Sequence, residues 1–330
     1  MTAPPDLICA YGMDGAGGGT EIDWPAVNAW TPENGHLWVH LDAHGPQVRQ
    51  WLRNDAKLDA FVVEGLLAEE TRPRCEQFPN GVLLVLRGVN LNPGAEPEDM
   101  VSIRLWVDAH RVISTRIRQL MAVQDIRDQF AAGEGPVSAG HLVARLGARL
   151  TERMGPVLED LGETLADLES GLIGAAAEDA PDIRRRRHQL IDLRQVAIAL
   201  RRYIAPQREA LYRFSLLEAP WVGDRVVGRL RETVDRITRL TEELDELRER
   251  AAIVQDELSS RVSQRMERTM YTLTLVATVM LPLGFLTGLL GINVAGMPGA
   301  ETPWAFWAVC ALLTILVAVE IWVLKRLKWL

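Results

Sequence analysis

The chain has few cysteines, the residues that form the disulfides of small secreted proteins and often bind structural zinc. Its 330 residues include only three cysteines, Cys9, Cys75 and Cys310, which lie far apart and follow no paired spacing. This excludes a disulfide framework and a zinc-finger pattern, and it suits a reducing cytosol. The N-terminal residues lack a basic segment followed by an apolar one, so we expect no signal peptide.

Long apolar runs are missing from the first 269 residues, whereas residues 270–324 have almost no charge. Glu301 and Glu320 are the only charged residues in that second stretch. Within it, 270–290 and 304–324 are each long enough to span a bilayer as a helix. The formal net charge of the chain is −8, and an acidic surface attracts cations and disfavours nucleic acid. We therefore predict a membrane protein that does not bind nucleic acid.

The first third of the chain alternates apolar runs with clusters of Gly, Pro and Asn, which indicates strands. The predicted strands are 6–12, 36–43, 81–90, 100–109 and 111–116. From about residue 119 apolar residues recur every three or four positions, as in amphipathic helices. We predict long helices at 140–172 and 183–214, the second interrupted near Pro206. This pattern predicts an α+β cytosolic domain, built as an α/β/α sandwich.

A third helix carries the longest apolar repeat. This apolar seam comprises Leu230, Val234, Ile237, Leu240, Leu244, Leu247, Ala251, Val254, Leu258, Val262, Met266 and Met270. Its steps of three and four are coiled-coil-like, and we interpret the seam as a reason for copies of the chain to assemble. Apart from Gly228, no helix breaker lies between Asp224 and Leu281. The helix is therefore expected to run from the cytosolic part straight into the first span.

Basic residues flank the two spans on one side only. They are Arg261, Arg265 and Arg268 before the first span, and Lys325, Arg326 and Lys328 after the second. The connecting loop has no Lys or Arg, so the positive-inside rule places both termini in the cytoplasm. The predicted segments are 1–118 (α/β), 119–223 (helical), 224–269 (stalk), 270–290 (first span), 291–303 (external loop), 304–324 (second span) and 325–330 (tail).

A second row follows another side of the third helix. This pore row comprises Asp256, Ser260, Ser263, Glu267, Met270, Leu273, Ala277, Leu281, Gly284 and Gly288. A two-helix hairpin cannot enclose a water-filled path, so conduction requires several copies around an axis. Acids and hydroxyls would then line a wet cation lumen, and the apolar residues would narrow it. The alternative is that the row from Asp256 to Glu267 is only the solvated face of a stalk.

The stretch 288–299, at the end of the first span, has one polar side chain, Asn293. In Gly291-Ile292-Asn293 a ring of asparagines at the outer mouth could hydrogen-bond the waters around a divalent ion. Such a ring need not strip those waters from the ion. The alternative is a glycine helix cap followed by an asparagine in a turn.

Other residues offer weaker metal chemistry. His36, His40, Asp42 and His44 alternate along a strand, and His and Asp are good zinc ligands. The alternative is a set of surface or core histidines, because residues four apart on a strand lie about 13 Å apart. We interpret the side chain of Glu320 as reaching the membrane interface near Lys325. The sequence contains no P-loop, nucleophile elbow or paired catalytic carboxylates, so we predict no enzyme and no bound cofactor.

The layout resembles the CorA-type divalent-metal transporters, and its details resemble the zinc-transporting ZntB branch. The resemblance rests on the order of domains and on short stretches: Glu70-Thr-Arg-Pro-Arg74, 201–209 (RRYIAPQRE), 219–221 (APW), 291–299 (GINVAGMPG) and the terminal KWL. Gly291-Ile292-Asn293 corresponds to the Gly-Met-Asn motif of the family, with Ile292 in place of the methionine.

The resemblance implies a homopentamer in the inner membrane whose first spans line the pore. It also implies that Asn293 contacts the hydrated ion, that Met270 and Leu273 form a constriction, and that Asp256 forms an inner acidic ring. The implied function is zinc transport, passive or proton-linked. Magnesium or broad divalent transport, including cobalt and nickel, is the alternative. A membrane-tethered sensor or scaffold is a more distant one.

Overall fold

The computed structural model describes residues 6–174, 180–292 and 302–327. The chain divides into two compact units, Met1–Gln255 and Asp256–Leu330. The first contains a mixed β-sheet with helices, and the second contains the apolar helices.

A seven-stranded sheet forms the centre of the first unit, in the order β2-β1-β3-β7-β6-β5-β4. The strands are β1 (Leu7–Met13), β2 (Gly19–Glu21), β3 (His36–Asp42), β4 (Arg74–Phe78), β5 (Gly81–Gly88), β6 (Val101–Val107) and β7 (Arg111–Arg116). Strands β3 and β7 pair in parallel, and the other pairs are antiparallel. All five predicted strands are confirmed. The short edge strands β2 and β4 were not predicted.

Helices cover both faces of this sheet. On one face lie α1 (Trp24–Ala29), α2 (Val48–Asn54) and α3 (Ala60–Leu67), and on the other lie α4 (Met121–Ala131), α5 (Ala139–Glu152) and α7 (Ala180–Ser215). In β3, Val39 packs in the first layer and Trp38 in the second, because successive strand side chains point to opposite faces. A sheet buried on both faces needs near-continuous apolar strands. The predicted α/β/α sandwich is confirmed.

The helical part differs from the prediction in two places. The single helix predicted at 140–172 is two helices, α5 and α6 (Gly155–Gly174), separated at Arg153 and Met154. Pro156 explains the break, because proline lacks an N–H and disfavours helical backbone before it.

The interruption predicted near Pro206 is also absent, since α7 runs through that proline. The adjacent Gln207 is fully buried, and its side-chain oxygen accepts a hydrogen bond from the Arg87 backbone N–H at 2.6 Å. Packing against the sheet therefore holds the helix together where its local sequence would interrupt it.

The longest helix, α8, spans Asp224–Leu290 with 67 residues and contains Pro282, and α9 spans Ala305–Arg326 with 22 residues. By length and composition these two helices could cross a membrane. Helix α8 continues without a break into its apolar part, as the absence of breakers predicts.

Candidate functional site

The apolar seam of α8 changes its environment along the helix. From Leu230 to Leu258 its members are buried or half-buried within the single chain. Beyond that point Val262, Met266 and Met270 are 45%, 64% and 59% exposed. The interpretation of the whole seam as an assembly surface is therefore wrong. Its first part is core of this chain, and only the last three positions remain open.

All ten members of the pore row are exposed in the single chain. Among the larger ones, Leu273 is 64% exposed and Leu281 is 70% exposed. Steps of three and four keep the row on one side of α8. That these residues line a pore stays a prediction.

The opposite side of α8 is more enclosed. Leu275, Val279, Leu283 and Leu286 are half-buried. Each follows a pore-row residue by two positions, which is about 200° around a helix of 3.6 residues per turn. These four residues therefore lie on the side of α8 that faces away from the pore row.

Helix α9 has a matching enclosed row. Ala305, Val309, Leu313, Leu316 and Glu320 are half-buried, and Leu324 is buried. Because α9 is the other helix that the structure describes in this unit, we infer that the enclosed rows of α8 and α9 face each other. The pore row is then left uncovered by the chain's own second span.

The predicted selectivity triplet is only partly described. Gly291 follows the last residue of α8, and its N–H donates to the carbonyl oxygens of Thr287 at 3.0 Å and Gly288 at 3.2 Å. This bonding closes the final turn of the helix. Gly291 does not have the positive φ that a glycine cap uses, so the helix-cap interpretation is not confirmed. Ile292 is exposed, and Asn293 lies outside the described residues.

The histidine site is not formed. His40 is fully buried, and its Nδ1 lies 2.8 Å from Ser114 Oγ, whereas His36 stacks on His110 with 6.0 Å between ring centroids. His44 lies beyond the strand, 3.7 Å from Asp42. No three His, Cys, Asp or Glu side chains within the described ranges group as a metal site requires. The alternation along β3 predicted a shared face, but packing separates the rings.

The core interpretation holds for His40. Burial, aided by the positive charges of Arg116 and Arg127, lowers its pKa to about 3. Its Nε2 is buried and has no hydrogen-bond partner among the described residues. His40 is thus held neutral inside the sheet domain.

Two of the stretches that carry the family resemblance meet at Arg87. Its guanidinium donates to the Thr71 carbonyl oxygen through Nε at 3.1 Å and Nη2 at 2.7 Å, and it lies 4.0 Å from the centroid of the Tyr203 ring. The Gln207 side chain accepts from the Arg87 backbone. These stretches therefore join α7 to the sheet. The sequence did not single out Arg87, because its contacts with Tyr203 and Gln207 of α7 span more than a hundred residues.

The model of the CorA-like Mg²⁺ transporter protein family matches residues 33–326. The chain belongs to this family. The predicted resemblance is thereby confirmed over nearly the whole length. Divalent-cation transport is the activity of the family, so the chain is a membrane transporter and not an enzyme.

Individual members of the family are also similar. The chain is 42% identical over 327 residues to the divalent cation transporter CmaX of Pseudomonas aeruginosa, covering 98% of this chain and 97% of that protein. It is 36% identical over 325 residues to the zinc transport protein ZntB of Yersinia pseudotuberculosis, covering 98% and 96%. The solved structure of full-length CmaX superposes with a TM-score of 0.85 at 39% identity, covering 100% of this chain and 99% of that one. The fold prediction is confirmed from the sheet domain to the apolar helices.

Proposed function

We propose that this protein transports Zn²⁺ as a hydrated ion across the inner membrane, either passively or linked to protons, through a homopentameric pore lined by α8. The observation that carries the proposal is the exposed pore row on the side of α8 opposite the enclosed row. Two helices cannot enclose a path, so the uncovered side needs other copies of the chain around an axis. The exposed seam residues Val262 and Met266 give those copies further apolar surface.

The residues of the row fit passage of a hydrated divalent cation. Asp256, Ser260, Ser263 and Glu267 are exposed and provide oxygen atoms. Met270 and Leu273 then narrow the path, and Gly284 and Gly288 allow close approach of neighbouring helices. The first span and its loop, residues 270–303, contain no Cys or His. Zinc's usual protein ligands are thus missing there, which favours an ion that keeps its water.

The choice of zinc is supported by the relative named as a zinc transport protein at 36% identity. The relative at 42% identity is named more broadly as a divalent cation transporter. Magnesium, cobalt or nickel transport is therefore the alternative, favoured by the Mg²⁺ description of the family model. We propose an orientation with both termini in the cytoplasm, because basic residues flank the spans on that side only.

Metal flux into liposomes tests the proposal. Purified protein would be reconstituted, and uptake of zinc, cobalt, nickel and magnesium measured with and without a pH gradient. We expect zinc uptake that Asn293→Ala alters, and the effect of the pH gradient on that uptake separates proton-linked from passive transport. No flux of any ion would contradict transport, and faster magnesium than zinc uptake would favour the alternative.

A matched pair of cysteines tests which side of α8 faces water. Ala277→Cys lies in the pore row and Val279→Cys in the enclosed row, two residues away. In a Cys310→Ala background, a charged, water-soluble thiol reagent should block zinc uptake at position 277 and leave it unchanged at position 279. The reverse pattern would place the pore on the other side of the helix.

A further inference from the structure

The acid in the second apolar helix is enclosed rather than exposed. Glu320 shares the enclosed row of α9 with Leu316 and Leu324, whereas its neighbours Val319 and Ile321 are 50% and 39% exposed. Its Oε2 atom is buried and has no hydrogen-bond partner among the described residues. The sequence interpretation, that this side chain reaches the interface near Lys325, stays a prediction, whereas the buried Oε2 atom favours an enclosed position instead. Glu320 therefore belongs to the row of α9 that we inferred above to face α8.

The surroundings of Glu320 offer no compensating charge. The enclosed row of α8, which begins at Leu275, is apolar. The nearest ionisable residues of α8 that precede Leu275 are Tyr271 and Arg268. On α9 itself, Lys325 and Arg326 follow more than a turn later, and the Arg326 guanidinium lies 5.3 Å from the centroid of the Trp322 ring. Within the described residues neither cation pairs with Glu320.

An ionised carboxylate in such a place is costly. A charge removed from water without a partner is strongly destabilised, whereas a neutral acid avoids most of that cost. Ionisable residues inside membrane helices are rare for this reason, and they mark functional positions such as proton relays. Glu320 is the only acid in α9, so the second span would be more stable with an apolar residue there.

We propose that Glu320 reversibly binds a proton and that this protonation links pH to metal transport by changing how α9 packs on α8. This inference rests on the proposed function. The neutral acid fits between the two enclosed rows. The carboxylate requires water or a cation, so loss of the proton separates the helices. Because the pore row lies on the far side of α8, Glu320 acts through the position of that helix and is a positioning residue that does not touch the ion.

The test compares the pH dependence of zinc uptake in Glu320→Gln and wild type, reconstituted in liposomes at equal pH inside and outside. Glutamine keeps the size of the neutral acid and cannot ionise. We expect wild-type uptake to change with pH, by about tenfold per pH unit at most for one titrating proton. In the variant, uptake should change by less than about twofold over the same range, as expected when that proton no longer titrates.

The matched control is Val319→Gln, which places the same amide on the adjacent, exposed position of α9. It should keep the wild-type pH dependence. If Glu320→Gln also keeps it, or if wild-type uptake does not respond to pH, the inference is wrong while metal transport still stands. If wild type transports no metal at all, the proposed function itself fails.

A second readout does not require transport. A hydrophobic carbodiimide reacts with protonated carboxyl groups in apolar surroundings, and mass spectrometry locates the adduct. In protein reconstituted in lipid we expect an adduct at Glu320 that increases as the pH is lowered and disappears in Glu320→Gln. Absence of an adduct at every pH would show that the carboxyl is not held as an enclosed acid, and would overturn the inference.

Discussion

The two units use the same helical pattern of apolar residues for different purposes. In the unit Met1–Gln255, Leu244 of α8 is fully buried. In the unit Asp256–Leu330, Leu273 of the same helix is 64% exposed. Apolar surface left uncovered on this scale indicates contact with a membrane or with another protein chain. The comparison shows that a repeat of three and four does not by itself reveal which partner a helix buries its leucines against.

Polar groups differ between the units as well. In the first, a bidentate ion pair at 2.6 and 2.9 Å joins Arg201 of α7 to Asp245 of α8, and another joins Arg153, directly after α5, to Asp125 of α4. In the second, the apolar part of α8 has no charge to pair between Met270 and Leu290. Among the described residues both units nevertheless enclose titratable side-chain atoms without a hydrogen-bond partner, including His36 Nδ1 and His40 Nε2 in the first and Glu320 Oε2 in the second. An enclosed acid in a membrane helix marks a candidate functional position, whereas a buried histidine such as His40 is an ordinary part of a protein core.

Truncating one leucine in each unit should produce the largest difference. Leu244→Ala removes a fully buried side chain and should lower the free energy of unfolding by about 2–5 kcal/mol. Leu273→Ala is the same chemical change at an exposed position and should shift it by less than about 0.5 kcal/mol in detergent. Denaturant unfolding of the full chain, followed by tryptophan fluorescence, measures both. Equal losses would mean that the two halves of α8 are enclosed alike.

Much of the fold could be predicted because the central strands are buried on both faces. Strand β5, with the sequence GVLLVLRG, is apolar nearly throughout and therefore easy to recognise. Strand β4, with the sequence RCEQF, has no such run, since its position at the sheet edge does not require one. The two prolines behave differently: the helix breaks before Pro156 but continues through Pro206. Tertiary packing around Gln207, which the local sequence does not contain, makes that difference.

The candidate site could be predicted in its spacing but not in its orientation. Leu273 and Leu275 are both leucines in one apolar helix, so composition gives no reason to assign one to a pore and the other to α9. Leu273 is exposed and Leu275 is half-buried, a difference that only the structure supplies and that we attribute to the position of α9. The histidine site failed for a related reason. The predicted alternation of side chains along β3 is correct. The environment of the His40 ring, however, depends on Ser114 of the neighbouring strand β7.

The buried histidine should make the sheet domain sensitive to acid. The pKa of His40 is lowered to about 3, mainly by burial, so the folded state leaves it neutral while the unfolded state protonates near pH 6.5. The unfolded state then binds more protons, and stability present above pH 6.5 is lost as the pH falls toward 3. The slope from this one group approaches about 1.4 kcal/mol per pH unit.

His40→Asn tests this expectation, because the amide can occupy the position of Nδ1 beside Ser114. The difference in unfolding free energy between wild type and variant should shift in favour of the variant as the pH is lowered from about 6 to 4. His44→Asn, which removes an exposed histidine, is the control and should not reproduce the shift. A difference that stays constant with pH would mean that His40 can take up its proton in the folded state.

The ion pair between α7 and α8 should have the smallest effect. Hydrogen bonding from Arg201 lowers the pKa of the Asp245 carboxyl below its ordinary value of 3.8. The pair's contribution is therefore present above that pH and lost as the pH falls through the lower folded-state pKa. A double-mutant cycle with Arg201→Gln and Asp245→Asn should give a coupling of about 0.2–1 kcal/mol at neutral pH, decreasing with added salt. The pair Arg261–Glu257 lies within α8 in the other unit and should give about 0.3–0.5 kcal/mol. A coupling of several kcal/mol for Arg201–Asp245 would mean that assembly of the full-length protein removes this pair from water, and would mark α7 and this part of α8 as covered by another copy.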